Sequence, residues 1–282
     1  MLLKTQLSRL LFIGISILLS TYSYAIDAPK PIRLGSVAMD TPRVMHQRLS
    51  PLTQYLSQEL GRPVELVLAQ NMPAAIADVT NGNVELAYLT PVAYLKSKER
   101  SKTQLIAKTV TNHKSSFKLM VVVRDDSKLQ NVEDLRNKRF AFGDPAALLQ
   151  RAVVVGAGVR LDSLDHYDFL DHYDNIVRGV LHRDYDAGIL KDTMAYKWKD
   201  KGIRILYSSD DLPPYNITAA SHVDKSLLAQ LRNAFLKLDS KQPGHMEIIK
   251  TLDPKYTGFA NTNDDEYDVI RTLIKPFSNN NQ

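Results

Sequence analysis

Cysteine is absent from all 282 residues. This excludes a disulfide framework, a thiolate nucleophile and thiolate metal ligation, and supplies no residue for a lipid anchor behind a leader peptide. The chain also lacks a Gly-x-Ser-x-Gly elbow, a Walker phosphate loop and a His-Glu-x-x-His helix, so its sequence offers catalysis no support. Paired carboxylates such as Asp210-Asp211 and Asp264-Asp265 lie in turn-like sequence and are expected to be solvated caps. No apolar run after residue 19 is long enough to cross a membrane. The 36 basic residues are scattered among 31 acidic ones without aromatic interleaving, which argues against nucleic acid as a partner. No cofactor or metal is implied, and a monomer is expected.

The N-terminus has the form of a secretory leader. Lys4 and Arg9 precede an apolar run at 10–19, and Ser23 and Ala25 supply small residues at the −3 and −1 positions of a cleavage site. Cleavage after Ala25 leaves 282 − 25 = 257 residues, enough for one large or two modest domains, in a soluble periplasmic protein without a lipid anchor. The formal charge of +5 falls to +3 with the loss of Lys4 and Arg9, a weak bias toward collecting anions.

The segment 81–97, NGNVELAYLTPVAYLKS, organises the rest. Val84, Leu86, Tyr88 and Thr90 alternate as in a buried strand, Gly82 closes the helix before it, and Pro91 stands at a first helical position with Thr90 as its N-cap. Such a junction leaves the N–H groups of Val92 and Ala93 beyond a strand end, where an anion or polar ligand is favoured. An ordinary βα junction has the same signature.

Upstream, strands are predicted at 32–37 and 64–68, with a loop at Asp40, Thr41 and Pro42. The helix between the strands carries Met45, Leu49, Leu52, Leu56 and Leu60 at helical spacing and ends at Gly61, with a kink or fresh start expected at Pro51. A short helix at 73–80 and a strand at 104–110 complete a βαβαβ block, the mark of a mostly parallel sheet. The run FKLMVVV at 117–123 predicts a strand buried on both faces. After a further strand at 139–142, Gly143-Asp144-Pro145 repeats the pattern of strand end, N-cap and helix-starting proline. Two such junctions in successive α/β blocks would face each other across two lobes. Strands at 203–207 and 217–220 are expected to return the chain to the first lobe, followed by helices at 225–238, 246–252 and 265–274.

Four segments in order carry a family resemblance: LSPLTQYLSQELGRPVEL (49–66), GNVELAYLTPVAYL (82–95), LQNVEDLRNKRFAFGDPA (129–146) and DYDAGILKD (184–192). Over 32–274 the chain resembles the periplasmic solute-binding proteins of ABC importers for phosphate, phosphite and phosphonates. The resemblance implies an α/β, two-lobed periplasmic binding protein fold of type II, each lobe built on a mixed, mostly parallel sheet. Lobe one would comprise 26–113 plus 218–282, lobe two 114–217, with two crossover segments as the hinge. It further implies a small-molecule ligand, an oxyanion or organic anion, held in the cleft and passed to an importer permease. The alternative is a ligand-sensing protein that presents its ligand to a membrane receptor or histidine kinase.

Residues expected at the ligand are Thr41, Tyr88, Thr90, Tyr94, Ser115, Ser116, Asp144, Ala147, Tyr173 and Asp192. Tyr88 and Tyr94 could equally pack between helix and sheet, Ser115 and Ser116 could be a solvated hinge loop, and Asp144 is an N-cap before it is a ligand neighbour. Lys191 is assigned to the surface. The chain also departs from the family. Phosphonate-binding members follow the glycine-Asp-Pro element with Ser, Thr, Ser and Gly, where this sequence has Ala147, Leu148, Leu149 and Gln150. A family His-Asp pair is replaced by Tyr173-Asp174, with His172 one residue earlier. Weak or no binding of simple phosphonates is therefore expected. The DHYD motif at 165–168 and 171–174 invites a metal reading, but a six-residue repeat fits neither one helix face nor one strand face, and a polar surface loop is expected.

Overall fold

A computed structural model describes residues 30–36 and 41–278. The leader segment and Asp40 lie outside them. The order is β1 (Ile32–Ser36), α1 (Pro42–Leu60), β2 (Val64–Leu68), α2 (Met72–Asn81), β3 (Leu86–Leu89), α3 (Pro91–Ser101) and β4 (Gln104–Thr111). Next come β5 (Leu119–Arg124), β6 (Arg139–Phe142), α4 (Leu148–Gly156), β7 (His166–Phe169), α5 (Tyr173–Leu181), β8 (Ala187–Lys191), α6 (Asp192–Trp198) and β9 (Ile203–Ser208). The chain ends with β10 (Asn216–Ala219), α7 (Lys225–Lys237), α8 (Pro243–Leu252), β11 (Tyr256–Ala260) and α9 (Asp268–Ile274).

Two sheets result, ordered β11-β4-β10-β3-β1-β2 and β7-β6-β8-β5-β9. In the first, β1 pairs in parallel with β2 and β3, and β10 inserts antiparallel between β3 and β4. In the second, β6 pairs in parallel with β7 and β8, and β5 runs antiparallel between β8 and β9. Each sheet thus receives one reversed strand directly after the chain has crossed from the other. The pattern of β5 shows why it is central. Leu119, Val121 and Val123 enter one apolar cluster and Met120 and Val122 another, so both faces are buried.

Several expectations shift. The helix α1 runs unbroken through Pro51, since Met45 and Leu49 before it and Leu52 and Leu56 after it are buried in one core and hold both halves on the same sheet. Gly61 and Gly82 end α1 and α2 in the left-handed conformation. The strand β9 does not return to the first sheet; it pairs with β5, and only β10 goes back. The C-terminal segment also packs across. Tyr267, Ile270 and Ile274 join the apolar cluster of the second sheet, and α9 lies against α4.

The two crossings touch each other. Between β4 and β5 the chain makes a tight turn, Thr111 and Lys114 exchanging backbone hydrogen bonds of 2.8 and 2.9 Å, with Asn112 and His113 at positive φ. Farther along, Phe117 and Leu212 exchange a second pair of 2.9 and 2.8 Å, which joins this crossing to the one between β9 and β10. The Ser116 hydroxyl donates to Asp211 at 3.0 Å beside that bridge.

Candidate ligand-binding site

At the first junction β3 passes straight into α3. Thr90 is extended, and its hydroxyl accepts from the N–H of Ala93 at 3.2 Å, while Pro91 occupies the first turn, where no N–H is needed. The second junction is built differently, which corrects the expectation of a twin. Pro145 does not start a helix. The Asp144 carboxylate accepts from Ala146 N–H at 2.7 Å and the Asp144 carbonyl from Ala147 N–H at 2.9 Å, closing a turn, and α4 begins only at Leu148. The gap behind this turn is filled by Gln150, whose buried side-chain oxygen accepts from Gly143 N–H at 2.7 Å and whose amide nitrogen lies 3.5 Å from the Tyr173 hydroxyl. Arg151 braces the outside of the turn, donating to the Pro145 carbonyl at 2.9 Å.

These two junctions border one cavity of about 620 Å³. Two more helix starts reach it. Asn71 caps α2, accepting from Ala74 N–H at 2.9 Å, and Tyr173 is the first residue of α5. Four helix N-termini therefore open on one space, and their orphan N–H groups and dipoles all favour negative charge. Phe117, Tyr215 and Tyr256 add aromatic wall. Tyr88 lies behind Tyr256, hydroxyl to hydroxyl at 2.7 Å, and stacks on Tyr215 at 5.1 Å between centroids. Burial pushes all three phenols above the ordinary tyrosine value.

The charges are few. Lys191 lines the cavity with its ammonium 5.0 Å from the centre of the Phe117 ring, and burial holds its pKa below the ordinary lysine value. Among the described residues no carboxylate lies within ion-pair distance of it. Lys96 is exposed at the rim, and Asp144, also exposed, is the one carboxylate in the lining among the described residues.

Of the residues singled out by sequence, Thr90, Asp144, Ala147 and Tyr173 line the cavity. Tyr88 stands one layer behind it. Tyr94 points away, packing edge-on against Tyr267 and donating its hydroxyl to Asp264, which also accepts from Arg271 at 2.7 Å. Ser116 belongs to the crossing, and Ser115, its neighbour, is not part of the cavity lining. The Asp192 carboxylate, on the first residue of α6, is taken up by backbone donors, accepting from Lys118 N–H at 3.2 Å and Thr193 N–H at 2.6 Å. Thr41 is exposed at the start of α1, away from the lining. Sequence reasoning missed Asn71, although Asn71-Met72-Pro73 carries the same cap-and-proline signature as Thr90-Pro91. Lys191 had no local signal, because its burial comes from Phe117, far away in the chain. The DHYD repeat pairs internally: His166 lies 3.0 Å from Asp168, which accepts from the Tyr185 hydroxyl at 2.7 Å, and among the described residues no acidic, histidine or cysteine group is arranged to hold a metal.

Residues 34–267 match a family described as the periplasmic substrate-binding protein of phosphonate ABC transporters. The chain is 21% identical over 271 residues to the phosphate-import protein PhnD of Mycolicibacterium smegmatis, covering 86% of this chain and 84% of that one. To a probable phosphite-binding protein, PhnD1, of Prochlorococcus marinus it is 20% identical over 266 residues, 85% of this chain and 88% of the relative. PhnD1 solved in complex with methylphosphonate superposes with a TM-score of 0.68 at 19% identity, covering 88% of this chain and 98% of that one. A Xanthomonas citri protein bound to ATP gives 0.71 at 17% identity over 86% and 95%. At such identities the structural likeness shows the fold, and that fold is the two-lobed, type II one.

Proposed function

This chain belongs to the family of periplasmic phosphonate-binding proteins of ABC transporters, and on that premise we propose that it captures a small organic anion between its lobes and delivers it to an importer permease. The observation that carries the reading is the Lys191 ammonium, half-buried in a cavity bordered by four helix starts, with Asp192 and Asp253 near enough to act on it but no carboxylate among the described residues within ion-pair distance. A buried cation is costly alone and is stabilised by an incoming anion. Thr90 and the first-turn N–H groups of α3 would share the anionic oxygens, and Tyr173 and Gln150 would contact the ligand from the other lobe. In this reading the lobes divide at the two crossings, 112–118 and 209–215, which moves the second boundary from 217/218 to ahead of β10, with α9 carried across onto α4. The paired crossings act as the hinge, and closure makes the Michaelis-like fit without chemistry on the ligand. The relatives are binding and import proteins by name, which favours a permease over a membrane sensor as partner. The neighbour that holds ATP shows that the fold accepts an anion with a large organic part.

A thermal-shift panel of phosphate, alkylphosphonates, alkylsulfonates, carboxylates and amines tests this reading. Anions are expected to raise Tm, by about 2.7 kcal/mol of stability at 100-fold excess over Kd. Lys191→Met is expected to abolish that response while leaving the ligand-free protein as stable as before or more so. Stabilisation by amines, or an undiminished anion response in the variant, would overturn the assignment.

A further inference from the structure

The lining of the cavity is less suited to a bare oxyanion than its helix starts suggest. Its volume of about 620 Å³ lies within the ~300–1,000 Å³ of sites that take a small organic molecule, whereas a tetrahedral oxyanion has five heavy atoms. Four apolar side chains, Val92, Phe117, Leu148 and Leu149, are half-buried against the same core cluster and line the cavity with what is left exposed. Met72 adds to them from α2. Charge compensation is correspondingly thin. Among the described residues Lys191 is the one half-buried cation in the lining, and Asp144 brings a negative charge to the same cavity. At the start of α4, Ala147, Leu148 and Leu149 offer no hydroxyl.

Resting on the anion-binding reading above, we propose that the ligand is an organic anion with one charged end and an apolar group of four or more carbons. The charged end lies toward Lys191 and Thr90, and the hydrocarbon part lies against Leu148 and Leu149. Burying that part removes ligand and protein apolar surface from water together, so affinity is set by the tail as much as by the head.

Calorimetry of the mature protein with inorganic phosphate and with methyl-, butyl-, hexyl- and phenylphosphonate tests the proposal without any variant. Affinity is expected to rise roughly three- to fourfold per methylene up to the hexyl chain, with phosphate and methylphosphonate the weakest. Leu148→Ser/Leu149→Ser is expected to flatten the rise to less than twofold per methylene. Equal affinity for methyl- and hexylphosphonate would overturn the proposal and leave the anion site standing. An undiminished slope in the double variant would overturn the assignment of the tail to this wall. Binding of no member of the series would overturn both this proposal and the reading it rests on.

Discussion

The Thr90-Pro91 and Asp144-Pro145 junctions look alike as sequence and fold differently. In the first, strand, cap and helix are continuous, and the capping residue Thr90 itself lines the cavity. In the second, the acidic side chain and the proline are spent on a turn, the helix starts three residues later behind an alanine, and a glutamine from within α4 reaches back to hold the strand end. Proline is equally at home at the first position of a helix and at the second position of a turn. What separates the two is the N–H that the side chain before the proline takes. Thr90 accepts from Ala93, three residues on, as a helix cap does, whereas Asp144 accepts from Ala146, two residues on, and closes a turn in place of a helix start.

The surroundings of the junctions differ as well, and alkaline pH should break the comparison most strongly. The first is packed with phenols, Tyr88 in β3 and Tyr94 in α3, both nearly inaccessible; the second has Phe140 and Phe142 at the equivalent strand end. Burial, helped by Tyr256 at Tyr88 and by Asp264 at Tyr94, raises both phenols above the ordinary value of 10.0. The unfolded chain releases these protons near pH 10 while the folded protein keeps them. Their stabilising contribution is thus fully present below pH 10 and is lost as pH rises through the window above it, by about 1.4 kcal/mol per tyrosine per pH unit. Urea midpoints at pH 8, 10 and 11 check this. Tyr94→Phe should lower the slope by one proton, and a slope indifferent to that change would refute the argument.

The next effect in size belongs to the second junction. Gln150→Leu leaves the Gly143 N–H buried without its acceptor, at a cost of about 1–3 kcal/mol. Gln150→Glu keeps the acceptor and should retain most of the stability, yet places a carboxylate beside Tyr173 and weakens anion binding. Chemical denaturation separates the two variants. Equal losses would mean that the glutamine acts by volume and not by its hydrogen bond.

Much of the fold was legible because it rests on local patterning. The left-handed ends at Gly61 and Gly82 and the doubly buried run of β5 are written within a few residues, whereas β3 around Tyr88 is buried at all four positions and not at alternate ones. The placement of β9 and of α9 was not, because a strand with apolar residues on both faces suits either sheet, and only its pairing with β5 decides. The site was legible where a cap or a proline marked a helix start and illegible where distance makes the contact. Tyr215 and Tyr256 arrive from the far side of the second crossing, and Tyr94 is drawn out of reach by Asp264, 170 residues away.

The smallest effect, and the sharpest contrast, comes from removing each capping side chain in turn. Thr90→Val deletes the acceptor for Ala93 N–H at a half-buried cap and should cost about 1 kcal/mol, together with several-fold in anion affinity, because Thr90 also lines the cavity. Asp144→Ala deletes one hydrogen bond at an exposed turn that three others still hold: Ala147 to the Asp144 carbonyl, Arg151 to the Pro145 carbonyl and Gly143 to Gln150. Its cost should stay near ~0.5 kcal/mol, the lower end for a hydrogen bond. The same change also removes the one carboxylate that the described residues bring to the cavity lining, so anion affinity should rise, by a few-fold at low salt and less at high salt, where an exposed charge is screened. The two variants thus move affinity in opposite directions while both lower stability. Parallel calorimetry and melting curves at two salt concentrations would read both signs. A fall in affinity for Asp144→Ala would show that the turn positions the ligand, and that the two junctions, unlike in construction, are alike in use.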